Sequence, residues 1–383
     1  MLRTRLAERA RDLGVSGLRV ADAAADTLTR ERMRESFARG DLETWGYDDA
    51  YATAATDGQT LLAGARRIVC IAVPYRTCDA AARGPLRGRV SNYAWSRDYH
   101  RTLRAILTEL AAMMDEFAGE TVARIACDTA PLAERAAAAR AGLGWVGKHT
   151  GLIAPRAGSY VFLGEIATSL LLPVDAPLRK TCGSCARCVT ACPTGALRGD
   201  YTIDATRCIA DLTQRTDPIP RALRPLIGDW VWGCDICQVV CPPNVRASAP
   251  VSDAFAPEDE VAASPDLVAL LHLRSAEYKH RYAKTAMGWR GAAVLRRNAA
   301  IALGNLGDRS AVPRLRTSLA EDPHAMVRGA AAWALGRIGS PAALEGLRTA
   351  AGSERNESVR QEIALALGEA SGTAWQAAPL EHL

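Results

Sequence analysis

The chain has 383 residues, 49% of them apolar, and a formal net charge of +5, which allows two or three domains with cores of their own. No apolar run approaches the roughly 18 to 20 residues of a membrane-spanning helix, and no membrane partner is expected. Eleven cysteines without a secretory apolar core point away from a disulfide framework and toward bound metal.

The first segment, MLRTRLAERARDLG, reads as an amphipathic helix with Leu2, Leu6 and Leu13 inward. Glu8 and Asp12 argue against a transit peptide, so a cytoplasmic protein is expected. Arg67 to Pro74 is a short apolar, β-branched run, as in a buried strand. Glu134 to Ala141 predicts a helix stopped by the glycines that follow, and Tyr160 to Leu172 holds a further strand. Residues 1–175 therefore predict an α/β or α+β domain. Residues 176–250 hold eight cysteines bracketed by prolines, and 251–265 read as an acidic linker.

From 266 the chain is helical and repetitive. Leu295-Arg296, Val327-Arg328 and Val359-Arg360 recur every 32 residues, as do Leu303-Gly304, Leu335-Gly336 and Leu367-Gly368. A period near this length means stacked helix pairs, similar to short HEAT repeats, over 266–383. Alanine lets neighbouring helices approach, and glycine is expected to end each helix. The arginine ladder reads first as internal stacking and capping.

Cys182, Cys185, Cys188 and Cys192-Pro193 form C-x2-C-x2-C-x3-C-P, the spacing of bacterial two-cluster ferredoxins. Cys234, Cys237 and Cys241-Pro242 form the second half, and Cys208 makes up the number. The expected sets are Cys182, Cys185, Cys188 and Cys241 for one [4Fe–4S] cluster, and Cys192, Cys208, Cys234 and Cys237 for the other. Two zinc sites are the competing reading, but zinc gives no reason for a third close cysteine or for Cys-Pro twice. Clusters this close pass single electrons, so their acceptor must lie in the first domain.

Other motifs fail. Gly142 to Lys148 almost spells a P-loop, but His149 stands where the Mg²⁺-binding hydroxyl belongs. Asp98-Tyr-His100 begins a cobalt-ligating D-x-H-x-x-G signature, but Leu103 replaces its glycine. Glu134 and Glu165 are plausible acids but read first as helix or strand-edge charges.

The chain resembles the epoxyqueuosine reductase family. The resemblance rests on Ser91-Asn-Tyr-Ala94, Arg97-Asp-Tyr-His100, Asp128-Thr-Ala-Pro131 with Glu134-Arg135, Ala141 to Lys148, Gly158-Ser-Tyr and Phe162-Leu-Gly-Glu165. It continues through Tyr201 to Cys208, Gly233 to Gln238 and Leu295 to Asn305. It implies a multidomain α+β protein: a nitroreductase-like N-terminal domain binding cobalamin, a two-cluster ferredoxin-like domain, and the repeats. The implied activity is reduction of epoxyqueuosine to queuosine at the wobble position of tRNA. Asp128 would be the proton donor, with a raised pKa beside a flat apolar cofactor. Ser91, Tyr99, His100, Lys148, His149 and Ser159 would contact cobalamin, and a flavodoxin or ferredoxin would supply electrons to a monomer. Two features depart from the family: Asn92 stands where arginine is usual, and residues 52–59 lack an Arg-x-x-Pro element.

One clue to tRNA is independent of the resemblance. Residues 271–310 carry eight Lys/Arg against Glu277 and Asp308, interleaved with Tyr278, Tyr282 and Trp289. Positive charge with aromatic faces suits a backbone and an unstacked base, with Lys279, Arg281, Arg296 and Arg297 as the expected contacts. The alternatives are a dehalogenase-like reductase of a small molecule, for which a basic repeat tail has no use, and a ferredoxin-type carrier, which needs no such first domain.

Overall fold

The computed structural model describes residues 1–77, 84–248, 251–258 and 263–371. The chain divides into two compact units, each assembled from three stretches. Met1–Thr77, Asp98–Cys208 and Asp235–Ala256 form the first, and Cys78–Arg97, Ile209–Cys234 and Pro257–Leu383 the second.

An antiparallel sheet organises the first unit, in the order Gly17–Asp22, Arg67–Pro74, Val161–Thr168, Ala123–Ala126. Arg67–Pro74 matches the predicted strand and is buried at every position after Arg67, as a strand covered on both faces must be. The strand expected over 160–172 is shorter, Val161–Thr168. Helix Tyr99–Ala118 packs on one face, burying Leu103, Ile106, Leu107, Leu110 and Met114 at helical spacing. Each such side chain contributes roughly 1.5–3 kcal/mol of burial. The helix approaches closely because Gly164 lies beneath it: a Cβ there would sit 2.9 Å from Leu107 Cδ1. Helix Glu134–Arg140 covers the other face, where Ala137 and Ala138 join Ile68, Cys70 and Ala167 in one core. The N-terminal helix Leu2–Asp12 buries Leu2, Leu6 and Ala10, while Leu13 is its half-buried C-cap.

The expected acidic linker is partly anchored. Ser252 caps a short 3-10 turn, Asp253–Phe255, and the buried Phe255 ring lies 5.0 Å from Phe162. Residues 259–262 of that stretch lie outside the described residues.

In the second unit, helices Ala292–Leu306, Ala325–Ile338 and Glu357–Ser371 stack in sequence, with Val312–Glu321 and Pro341–Ser353 as their partners. The glycine of each Leu-Gly pair does not end its helix, contrary to the sequence expectation. A Cβ on Gly304 would lie 2.8 Å from Ala334 Cα, and one on Gly336 2.7 Å from Ala366 Cβ, so these glycines admit the next repeat. The helices end three residues later, at Gly307 and Gly339, both left-handed. Two rungs of the arginine ladder are internal, as read first, whereas Arg360 is exposed beside Glu357. Arg296 pairs with Asp322 and Arg328 with Glu354, each at 2.7 Å.

The Leu295-Arg-Arg-Asn298 segment holds 209–234 in place. Arg297 donates to the carbonyls of Leu212, Arg215 and Asp217, and Asn298 to those of Thr213 and Val231. Asn305 donates to Arg224 and Gly228. These side chains satisfy loop carbonyls that would otherwise be buried unpaired.

Candidate functional site

The first unit carries an aromatic stack. Tyr75 lies on Phe162, Phe162 on Tyr99 and Tyr99 on His100, each pair with ring centroids 4.2 Å apart. Asp98 caps helix Tyr99–Ala118 through the His100 amide, which places Tyr99 and His100 in its first turn. His100 Nδ1 meets Asp98 Oδ1 at 2.6 Å, and Nε2 meets Asp128 Oδ2 at 3.0 Å. Tyr99 also hydrogen-bonds Asp128. Asp128 follows strand Ala123–Ala126 in a turn with φ +50°, and its side chain is 51% exposed.

The charges run opposite to the expectation for Asp128. Hydrogen bonds to Asp128 and then Asp98 raise His100 to about 9, and the His100 bond holds Asp128 below the usual carboxylate range. Near neutral pH the proton resides on His100, donated toward an ionised Asp128. The sequence reading missed Asp98 as the second carboxylate, although Asp-x-His at a helix start is an N-cap signal.

Two further carboxyls stand behind this turn. Glu134 Oε1 accepts from the Asp128 amide at 2.5 Å, and the Glu165 carboxyl lies at hydrogen-bonding range. Glu165 is fully buried between Cys70 and Ala126 in the sheet. Glu134 is a half-buried first-turn helix acid, as read, whereas Glu165 lies on an inner strand with no exposed surface, which corrects the strand-edge reading. The signal was available: Glu165 is a lone acid inside the apolar run Phe162 to Ala167.

The remaining candidates lie elsewhere. Lys148 donates its amide to Cys182 Sγ at 3.4 Å and its Nζ to Gly183 O at 3.0 Å. His149 is buried, accepts from the Gly151 amide at Nδ1, and is pushed down to about 4 by desolvation, so it is neutral. Ser159 Oγ donates to Gln238 Oε1 and accepts from Asn244 Nδ2. Gly158, at φ +68°, allows this because a Cβ would lie 2.1 Å from Asn244 Oδ1. Ser91 is buried in the second unit, its amide on Trp232 O.

None of the ten described cysteines is in a disulfide. Among the described residues, no three His, Cys, Asp or Glu side chains converge on a single-ion position. Burial, with Cys182, Cys188 and Cys185 nearby, pushes Cys241 up to about 11. Burial raises Cys237 strongly, and its thiol neighbours are Cys208, then Cys188 and Cys192. Bringing thiols together out of water disfavours their ionisation, and a cationic cluster core removes that penalty.

On the second unit, the structure corrects half of the expected tRNA set. Arg296 is bonded to Asp322 and Leu273 O, and Arg297 is 1% exposed with its guanidinium held by backbone carbonyls. Burial pushes Arg297 down to about 9. Both guanidinium groups are turned to partners inside the protein. Lys279 is exposed and Arg281 half-buried beside Glu277. Tyr278 and Tyr282 are buried, whereas Trp289 is 52% exposed. Trp289 sits at the tip of a loop clamped by Tyr278, whose hydroxyl donates to Met287 O and accepts from the Gly291 amide. The Arg290 guanidinium lies 3.7 Å from the Trp289 ring centroid.

Comparison with known proteins bears on these features. A family model described as epoxyqueuosine reductase QueG matches residues 56–129. A 4Fe-4S double cluster binding domain matches 181–244, and HEAT repeats match 291–368. The epoxyqueuosine reductase of Bacillus anthracis is 37% identical over 282 residues, 73% of this chain and 74% of that protein. The Bacillus subtilis enzyme is 36% identical over 328 residues, 84% of each chain. This chain belongs to the epoxyqueuosine reductase family.

Solved structures of the family agree over nearly the whole length. A selenomethionine-labelled epoxyqueuosine reductase superposes with a TM-score of 0.91 at 34% identity, covering 96% of this chain and 99% of that one. Another, with an epoxyqueuosine-modified tRNA-Tyr stem loop, superposes with a TM-score of 0.90 at 34% identity, covering 97% and 99%. A Bacillus subtilis family structure, with a TM-score of 0.89 at 34% identity and 96% and 98% coverage, has its catalytic aspartate loop swung out of the active site.

Proposed function

We propose that the chain reduces the epoxide of epoxyqueuosine to the alkene of queuosine at the wobble position of tRNA, the last step in making that nucleoside. The observation that carries this reading is the Asp98–His100–Asp128 network, at the end of the aromatic stack and in the same unit as all the motif cysteines except Cys234.

Deoxygenating an epoxide takes two electrons and two protons and releases water. Two [4Fe–4S] clusters would be held by Cys182, Cys185, Cys188 and Cys241, and by Cys192, Cys208, Cys234 and Cys237, and would supply those electrons one at a time. The neighbours of Cys241 support this division, while Cys237 has Cys208 and Cys192 of its own set near it together with Cys188 of the other. The amide donated by Lys148 to Cys182 Sγ favours the more negative cluster state, as hydrogen bonds to cluster sulfur do. A flavodoxin or ferredoxin is the proposed donor.

Cobalamin, when bound, would supply a redox-active, nucleophilic metal centre. The residues fit it in two respects: Tyr99 and Phe162 stack as flat aromatic faces beside His100, and His149 Nε2 is buried with no hydrogen bond among the described residues. Lys148, Ser159 and Ser91 remain in the set on the resemblance. Asp128 is the half-exposed end of the proton network. It receives the His100 proton and passes it to the leaving oxygen, since an alkoxide is far more basic than either group.

The tRNA rests on Lys279 and Arg281, with Trp289 as a stacking face. A cytoplasmic monomer is proposed, with a cofactor domain at 1–175, a ferredoxin-like domain at 176–250 and the repeats at 266–383. No helix among the described residues is long and apolar enough to cross a membrane.

Anaerobic turnover of a stem loop carrying epoxyqueuosine tests the proposal, read by mass spectrometry of its nucleosides. Queuosine should form with cluster-replete, cobalamin-loaded protein and a low-potential reductant. No conversion under those conditions refutes it.

A further inference from the structure

We propose that Glu134 and Glu165 are a carboxyl pair sharing one proton, and that this pair fastens the Asp128 turn in its working position. The inference deepens the reading of Asp128 as the group that hands the proton to substrate. It makes Glu134 and Glu165 positioning residues.

The argument begins with Glu165. It lies on the inner strand Val161–Thr168, with no exposed surface and no hydrogen-bond donor at either oxygen among the described residues. A bare carboxylate cannot be held in such a place; the group keeps its proton instead. The Glu134 carboxyl acts on it at hydrogen-bonding range, and only a proton on one of the two can join them. Two carboxyls can bond only if one of them donates, so Glu165 O–H donates to Glu134. Glu134 is thereby left as the acceptor, and its Oε1 takes the Asp128 amide at 2.5 Å.

The fastening acts on a turn that needs one. Asp128 is one of five described non-glycine residues with positive φ, a conformation L-residues adopt reluctantly. The Thr129 amide folds back to Cys127 O at 2.5 Å. A turn this tight on a half-exposed residue opens readily unless an external partner holds it. Glu134 is the first residue of helix Glu134–Arg140, which is buried against the sheet through Ala137 and Ala138. The chain of support runs from an inner strand, through two carboxyls, to one backbone N–H.

The surroundings keep the proton within the pair. The titratable and charged groups that act on these carboxyls or their neighbours are Cys70, Cys127, Tyr51, Asp128, Arg104, Arg135 and Arg140. The arginines make no hydrogen bond or ion pair to either glutamate: Arg135 donates to Thr150 O and Arg140 pairs with Asp26. Burial raises both glutamates, Glu134 to about 7, so one proton remains on the pair at neutral pH.

The test uses the cluster-loaded, cobalamin-loaded enzyme and two readouts: hydrogen exchange of a peptide covering 127–133, and kcat with KM for the epoxyqueuosine stem loop. Glu134→Ala removes the acceptor. It should speed exchange in that peptide at least tenfold and lower kcat by about 10- to 100-fold, with KM and iron content unchanged. Glu134→Gln can accept from Asp128 and donate to Glu165, and should stay within about threefold of wild type in both. Should Glu134→Ala not fold, the Glu165 pair decides. Glu165→Gln keeps a donor and should behave as wild type, whereas Glu165→Leu should speed exchange at 127–133 with the cluster spectrum intact. Unchanged exchange and a kcat within twofold of wild type in Glu134→Ala, or in Glu165→Leu, overturns the fastening. Asp128→Asn separates this from the broader reading. If that variant keeps full turnover, the proton role is wrong, while the exchange comparison still judges the fastening.

Discussion

Replacing His100 by Gln tests the direction in which the proton is held. The imidazole bonds Asp128 and Asp98 and is raised from the ordinary 6.5 to about 9. That interval corresponds to about 3 kcal/mol of interaction between the imidazolium and its two carboxylates. Asp128 is half exposed and Asp98 nearly so, so solvent screening reduces the usable part to about 1–2 kcal/mol. The sign follows from the raised value: the stabilisation is complete below pH 6.5 and disappears as pH rises through 9. Wild type should therefore lose about 1–2 kcal/mol more than His100→Gln between pH 6 and pH 9.5, by denaturant unfolding with matched cluster content. Carbon-13 NMR of histidine-labelled protein gives the direct measure, with His100 assigned by its absence in the variant. Its midpoint should lie near 9 and fall when Asp128 becomes Asn. A midpoint near 6.5, unmoved by Asp128→Asn, would refute the reasoning.

Asp128→Asn should leave cluster content intact and reduce turnover by roughly 10²- to 10⁴-fold; a wild-type rate would point to another acid. Cys241→Ala and Cys237→Ala should each lose about four of about eight irons, with the remaining signals belonging to different clusters; loss of the same signal in both would undo the proposed division of ligands. Arg297→Met strands the carbonyls of Leu212, Arg215 and Asp217. Denaturant unfolding should show a loss of roughly 3 kcal/mol, with stem-loop affinity of the folded protein unchanged. Replacing Lys279 and Arg281 by Ser should weaken stem-loop binding and flatten its salt dependence by a slope of about 1–2. Trp289→Ala should weaken binding about tenfold with the slope unchanged. Equal affinity in both variants would place the RNA elsewhere.

Features decided by neighbours along the chain were legible in the sequence. Arg67–Pro74 announces a buried strand because each of its residues needs only the sheet on either side. The cysteine spacing works because one short loop must wrap one cluster. The repeat is visible because each helix pair buries the next in the same way. What failed depends on partners far along the chain. Arg296 and Arg297 count toward a basic patch until Asp322 and the carbonyls of 212–217 claim them. The repeated glycines look like helix ends until the next repeat's Ala334 and Ala366 are placed beside them. For Asp128, the expectation considered an apolar cofactor and not the imidazole two carboxylates would share. Glu165 was dismissed as a strand-edge charge, although its apolar neighbours already said it was inside.

The order of the segments bears on how the protein can be made. Cys237 and Cys241 belong to the first unit, yet they are translated only after Ile209–Cys234 has been laid down for the second. A ribosome that has finished the sheet and the Asp128 turn has therefore not yet supplied Cys237 or Cys241, the last cysteines proposed for the two clusters. Iron loading must wait until about two thirds of the chain has emerged, and a nascent chain paused before residue 237 exposes unmatched thiols to oxygen. No single cut separates the redox half from the repeat half. A deletion that removes the repeats also leaves Ile209–Cys234 without Arg297, Asn298 and Asn305 to hold its backbone.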